Sequence, residues 1–189
     1  MGFIFLGIIF VVAIYAVMTY NSLIEIKNNV DKAWSNIDVL LKQRHEEIPK
    51  LVAVCKEYMK FEQETLEKVI QARSRVMEAS TAHNTAALGQ AESALRQSLG
   101  GLFALAESYP DLKSNEQFMH LQQRISGLEN TIADRREFYN DSVNINNVRI
   151  AQFPDAIIAN LFGFKRSELL KFSAGETADV DLGKLFESK

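Results

Sequence analysis

The first nineteen residues, MGFIFLGIIFVVAIYAVMT, carry no charged side chain. At 1.5 Å per residue such a run spans about 28 Å as a helix, close to the ~30 Å hydrocarbon core of a bilayer. Tyr20 follows at interface depth, and Tyr15 lies a little over one turn deeper. A cleaved secretory leader fits less well. The segment has no leading Lys or Arg, its apolar run is long for a leader, and no A-x-A-like site follows. No lipid-attachment cysteine pattern is present. The reading is an uncleaved anchor over residues 1–19. Lys27 and Lys32 follow the span and no basic residue precedes it. The positive-inside tendency therefore favours a short N-terminus outside and the large domain in the cytoplasm, with an extracytoplasmic domain as the alternative.

Nothing between Gly7 and Pro49 breaks a helix. Beyond Tyr20 the apolar positions Leu23, Ile26, Val30, Ala33/Trp34, Ile37 and Leu40/Leu41 recur at spacings of three and four, one face of a helix. The span and the first water-facing helix are expected to be one rod. Pro49 lacks an amide donor and disfavours a helical Ile48, so the sequence places a tight turn there and starts a second helix at Pro49. Glu62 and Arg73 fall on that helix's apolar stripe, either at its edge or within a satisfied polar network. The polar stretch Ser80–Gly89 reads as a loop or frayed end, and a third helix runs from near Thr85 to Ser108. Its small residues Ala91, Ala94, Gly100 and Gly101 suggest close helix approach, although adjacent glycines weaken a helix. Pro110 ends it after Tyr109. Ser114–Gln117 has the form of a capping box for a fourth helix that reaches about Ala151. Polar residues at Arg135/Arg136 and Asn146 interrupt its stripe and would set register. Pro154 ends that helix, and a short apolar helix, Asp155–Phe162, follows. The tail, residues 165–189, mixes charges with Phe172, Leu182, Leu185 and Phe186, and reads as extended along the bundle or loosely ordered.

Both charge signs are interspersed, with a formal net charge of −3. The absence of a basic block argues against nucleic-acid binding. The single cysteine, Cys55, excludes an internal disulfide and is expected to be a buried, inert thiol. No phosphate-binding, dinucleotide-binding, hydrolase-elbow or zinc-protease motif occurs. His45, His83 and His120 do not complete a di-iron pattern. Glu116 and His120 share a helix face, as such pairs do by chance. Asn140-Asp-Ser fits the glycosylation acceptor pattern by accident, inside a helix. The expectation is no enzyme, no cofactor and no metal.

Two phrases exceed what a plain bundle needs: Trp34-Ser-Asn-Ile-Asp38 with Arg44 and Ile48-Pro49, and Arg135-Arg136-Glu-Phe-Tyr139-Asn140 with Asn146-Asn147 and Phe153-Pro154. Together with YNSLIEIKNNVDKAWSNIDVLLKQRHEEIPKLV, KEYMKFEQETLEKVIQAR and ESYPDLKSNEQF, they make the chain resemble the LemA family of bacterial membrane proteins over its whole length. Departures occur at Glu46, Glu47, Lys50 and Phe61, the last where a His-Glu pair is common and Glu62 keeps the Glu; the departing positions are read as tolerant surface sites. Carried over residue by residue, the resemblance marks sixteen structural positions: Tyr20, Asn21, Trp34, Arg44, Pro49, Glu62, Arg73, Tyr109, Pro110, Arg136, Tyr139, Asn140, Asn146, Phe153, Pro154 and Phe164. It implies an all-α fold: a transmembrane helix continuous with an antiparallel four-helix bundle over residues 20–164, plus a short C-terminal capping helix. It also implies no known enzymatic activity. Relatives are linked to envelope maintenance, to membrane-bound zinc metalloproteases and, in magnetosome-forming bacteria, to internal membrane formation. The expected role is a single-pass bacterial envelope scaffold that contacts membrane lipids and forms a homo-oligomer. The alternative is an adaptor for a membrane protease.

Overall fold

A run of 57 residues, Gly2–Tyr58, forms one uninterrupted helix, α1. The computed structural model describes residues 2–171. Over residues 2–18 the helix packs against almost nothing: its apolar side chains stand in the open, Phe3, Phe10 and Met18 among them. Burial begins at Thr19 and Leu23, which is fully covered. Unpacked apolar surface below Thr19 and packed surface above it distinguish a lipid-length segment from a core helix. The described residues contain this one helix long and apolar enough to cross a membrane.

Five further helices follow among the described residues: α2 (Gln63–Thr81), α3 (Thr85–Ala106), α4 (Pro110–Lys113), α5 (Glu116–Arg149) and α6 (Asp155–Leu161). The fold is all-α, as expected. The chain divides into two compact units. Among the described residues, the first holds 2–51 and 119–169, and the second holds 52–118 with 170–171.

In the first unit α1 and α5 run antiparallel. Trp34 meets Tyr139, Arg44 meets Glu129 and Glu47 meets Arg124, so numbering falls on one helix as it rises on the other. Leu23, Val30, Ala33, Ile37, Leu41 and Ile48 of α1, with Leu121, Ile125, Ile132, Tyr139 and Val143 of α5, form the apolar seam. Each large apolar side chain buried there contributes roughly 1.5–3 kcal/mol relative to exposure. In the second unit α2 and α3 pack along their length as a hairpin. Leu66, Val69, Ala72 and Val76 make up one face, and Leu88, Ala91, Leu95, Leu99 and Leu102 make up the other. The connecting turn, residues 82–84, includes His83 at φ 51 and ends in Asn84, whose side chain caps α3 by accepting from the Ala87 amide at 2.9 Å.

Three expectations, two of them about helix ends, are corrected. Pro49 does not start a new helix; it lies inside α1. A helix-interior proline costs about 3 kcal/mol. Here Ile48 and Leu51 are completely buried on either side of it, with Val52 close behind, and that packing outweighs the loss. The break falls at residues 59–62, which contain neither Gly nor Pro. Phe61 is 95% exposed there, in the gap between buried Met59 and Leu66. The cap of α5 also shifts by one residue. Asn115, not Ser114, accepts from the Phe118 amide at 3.0 Å. Ser114 instead closes α4, its hydroxyl donating to the Asp111 carbonyl. Finally, Gly100 and Gly101 of α3 face open space, and it is Gly89 that meets a neighbouring backbone. A methyl group there would strike the Lys171 carbonyl oxygen. Phe172, Leu182, Leu185 and Phe186 lie outside the described residues.

Candidate functional site

The end of the apolar run carries a collar built from α1, the end of α5 and α6. Asp155, the first residue of α6, is buried. Its carboxylate accepts from the Tyr15 hydroxyl at 3.3 Å and pairs with the Arg149 Nε at 2.8 Å. One turn further along α1, the Tyr20 ring meets Phe162 at 4.7 Å and Phe164 at 5.9 Å between ring centroids. Gly163 separates the two phenylalanines and takes φ +72°, a backbone state open to glycine at little cost. Pro154 precedes α6 through a cis peptide bond from Phe153. Phe153, Ile157, Leu161 and Phe162 project outward from this collar.

Above the collar, the α1–α5 seam carries charge. Arg44 is buried, with a guanidinium nitrogen 3.9 Å from Glu129. Glu47 is buried between Lys50 at 3.1 Å and Arg124 at 3.2 Å. The sequence reading of Glu47 as a tolerant surface site is therefore wrong, whereas Glu46 and Lys50 are exposed. Arg136 is the largest side chain in the fully buried set. Trp34 packs edge-on to Tyr139 at 5.5 Å. The Tyr139 hydroxyl donates to the Glu168 carbonyl at 2.9 Å, and burial, followed by the carboxylates of Glu168 and Asp31, raises its pKa above 10.0.

Asn146 and Asn147 fasten residues 165–167 to α5. The Ser167 amide donates to the Asn147 side-chain oxygen, and the Asn147 side-chain amide donates back to the Ser167 carbonyl, both at 2.9 Å. Buried Asn146 lies within 3.5 Å of the Lys165 carbonyl and within 3.4 Å of the Ser167 hydroxyl, as their donor. Its role is thus to hold the returning chain. Asn21 is exposed and Asn140 is half-buried.

In the second unit, Glu62 accepts from the Tyr109 hydroxyl at 3.3 Å, and burial and that carboxylate raise the tyrosine's pKa. Pro110 occupies the first turn of α4. Arg73 is half-buried on α2, and partial burial lowers its pKa. Cys55 is fully buried and its thiol is pushed up to about 11, an inert state at neutral pH.

The sequence model of the LemA family matches residues 33–182. The chain is a member of the LemA family. Magnetosome protein MamQ 2 of Paramagnetospirillum magneticum is 25% identical over 96% of this chain and 76% of its own length. Magnetosome protein MamQ of Magnetospirillum gryphiswaldense is 35% identical over 48% of this chain and 34% of its own length. Protein LemA of Metamycoplasma hominis is 27% identical over 87% of this chain and 74% of its own length.

Among the described residues, the LemA-signature positions brought into contact include Tyr20 with Phe164, Trp34 with Tyr139, and Glu62 with Tyr109. Sequence reasoning missed Asp155, Arg149, Glu129, Arg124 and Ser167. Their partners lie up to 140 positions away, as for Tyr15 and Asp155, and no local pattern reports such a distance. Among the described residues no three His, Cys, Asp or Glu side chains gather in a metal-sized cluster. The arrangement joins, orients and buries side chains, and it suits a structural element at a membrane boundary.

Proposed function

We propose that this LemA-family protein is a non-enzymatic, membrane-anchored scaffold that self-assembles and organises the bacterial envelope membrane. One observation carries the reading: the lipid-length segment and the first water-facing helix are the same helix, Gly2–Tyr58. A domain joined to its span without a hinge has a fixed height and tilt. Identical copies then present identical faces side by side, and closed rings are a common outcome of such repeated contacts. Phe138, Ile145 and Val148 supply an exposed apolar stripe on the outer face of α5, at heptad-like spacing. In this reading a second copy covers that stripe.

Cross-linking through Ile145→Cys in native membranes tests the assembly. Cross-linked dimers and higher species are expected, and Ile145→Glu is expected to abolish association measured by particle mass. Monomer alone at every cross-linker length contradicts self-assembly. Lys27 and Lys32 support a cytoplasmic domain, which reporter fusions to the C-terminus check directly.

The second reading is an adaptor for a membrane-bound metalloprotease or other envelope enzyme. It is favoured by a groove of about 720 Å³ in the second unit, where Val52, Met59, Leu66 and Ile70 lie beside Lys56 and Gln63. Reproducible co-purification of one membrane protease, lost on Ile70→Glu, supports the adaptor over the scaffold.

A further inference from the structure

We infer that the segment from Phe153 to Arg166 is a second membrane contact, an interfacial element that seats α6 among the upper acyl chains and holds an anionic lipid headgroup. The inference rests on the anchor proposed above and assigns a site beyond it. Its height is fixed at both ends. Asp155 is tied to Tyr15, inside the apolar run, and Phe162 and Phe164 are tied to Tyr20, at its end. Five residues of α1 separate those ties, an axial rise of about 7.5 Å. The segment therefore lies beside the last turn and a half of the span, at the depth where interfacial helices sit.

What it shows at that depth is apolar. Phe153 is 78% exposed, Ile157 58% and Leu161 74%. Ile157 and Leu161 stand four apart, so α6 turns one greasy edge outward, and Phe153 is exposed just ahead of the helix. Its inner side carries Asp155 and Ala159, both buried. In water this edge would be an unfavourable patch on a seven-residue helix. Continuity with the lipid-exposed face of α1 names the occupant, which is the same leaflet.

Just above, the chain changes character. A groove of about 470 Å³ has the rings of Tyr20, Phe162 and Phe164 among its walls and three exposed cations at its rim, Lys27, Lys165 and Arg166, against one acid, Asp31. An aromatic belt beneath a cluster of cations matches the order of a leaflet boundary, with acyl chain, glycerol and phosphate in turn. Long cationic side chains reach headgroup phosphates while their stems stay on apolar surface.

The test places single spin labels in the full-length protein in lipid-bilayer discs, at Ile157→Cys and Leu161→Cys, with Val12→Cys and Val39→Cys as references. Native Cys55 is buried and leaves these sites uniquely labelled. Labels at 157 and 161 are expected to be relaxed more by oxygen than by an aqueous nickel chelate, at a depth of about 5–10 Å below the phosphates. Val12 should read deeper and Val39 aqueous. Aqueous readings at 157 and 161 with a lipid reading at Val12 overturn the inference and leave the anchor intact. Protection from both relaxants at 157 and 161 indicates a protein partner and also overturns it. For the headgroup, Lys27→Gln/Lys165→Gln/Arg166→Gln and discs of purely zwitterionic lipid should each move both labels toward water, with no restoration by inorganic phosphate. Equal depths in anionic and zwitterionic discs, or restoration by phosphate, contradict anionic-lipid binding.

Discussion

Glu47 shows how a single residue can change its meaning between sequence and structure. It stands next to exposed Glu46 and reads as surface, yet its carboxylate is buried between two exposed cations, Lys50 and Arg124. Coulomb attraction to those cations offsets its lost hydration, so removing both is expected to strand a buried charge. Lys50→Ala/Arg124→Ala should lose about 3 kcal/mol in denaturant unfolding of the detergent-solubilised chain. Adding Glu47→Gln should recover most of it, a non-additivity that independent surface sites would not show. Tyr139 makes a prediction of a different kind. Its pKa is raised on folding, so the folded state keeps the phenolic proton longer. That contribution is complete below the unfolded value near 10.0 and is lost as pH rises through the folded value. Tyr139→Phe should cost about 1 kcal/mol at pH 8 through the lost bond to Glu168, and should flatten the decline in stability above pH 10. Equal slopes for both proteins between pH 10 and 11 would remove Tyr139 as the cause.

At the scale of elements, periodicity made most helices legible and helix ends were the weak point. α3, α5 and α6 begin and end within two residues of their expected bounds, because stripes of Leu, Ile and Val repeat at helical spacing. At Pro49 the local rule about proline loses to buried Ile48 and Leu51 on either side. The true break at residues 59–62 left only one trace, a polar Glu62 where the stripe called for an apolar residue. Ser114 offers the better capping-box pattern in sequence, whereas the geometry puts the capping oxygen on its neighbour Asn115. These differences give opposite mutational signs. Asn115→Ala should cost about 1 kcal/mol and Ser114→Ala only a few tenths. Pro49→Ala should stabilise the chain by about 1–3 kcal/mol, because the helix already runs through that position. Thermal or denaturant midpoints for the three variants check all of these, and a destabilising Pro49→Ala would mean the proline is needed for more than it costs. The collar was partly legible, since Tyr20 and Phe164 stood out by family resemblance. Asp155 and Arg149 did not, because their meaning comes from a tie to Tyr15 far along the chain.

For the whole molecule, the continuity of α1 carries the functional reading. A scaffold needs each copy to hold its domain at one height and angle, and a flexible joint at Tyr20 would let neighbouring copies tilt independently. The collar supports rigidity, because α6 and the residue after it touch α1 at Tyr15 and at Tyr20 itself, and Arg149 of α5 holds Asp155 in place. The most direct measurement is the distance between spin labels at Val17→Cys and Val39→Cys, both exposed on α1, in full-length protein diluted with unlabelled chain in bilayer discs. Twenty-two residues of unbroken helix predict one narrow peak near 33 Å. A broad distribution, or one centred well below that distance, would contradict a rigid rod.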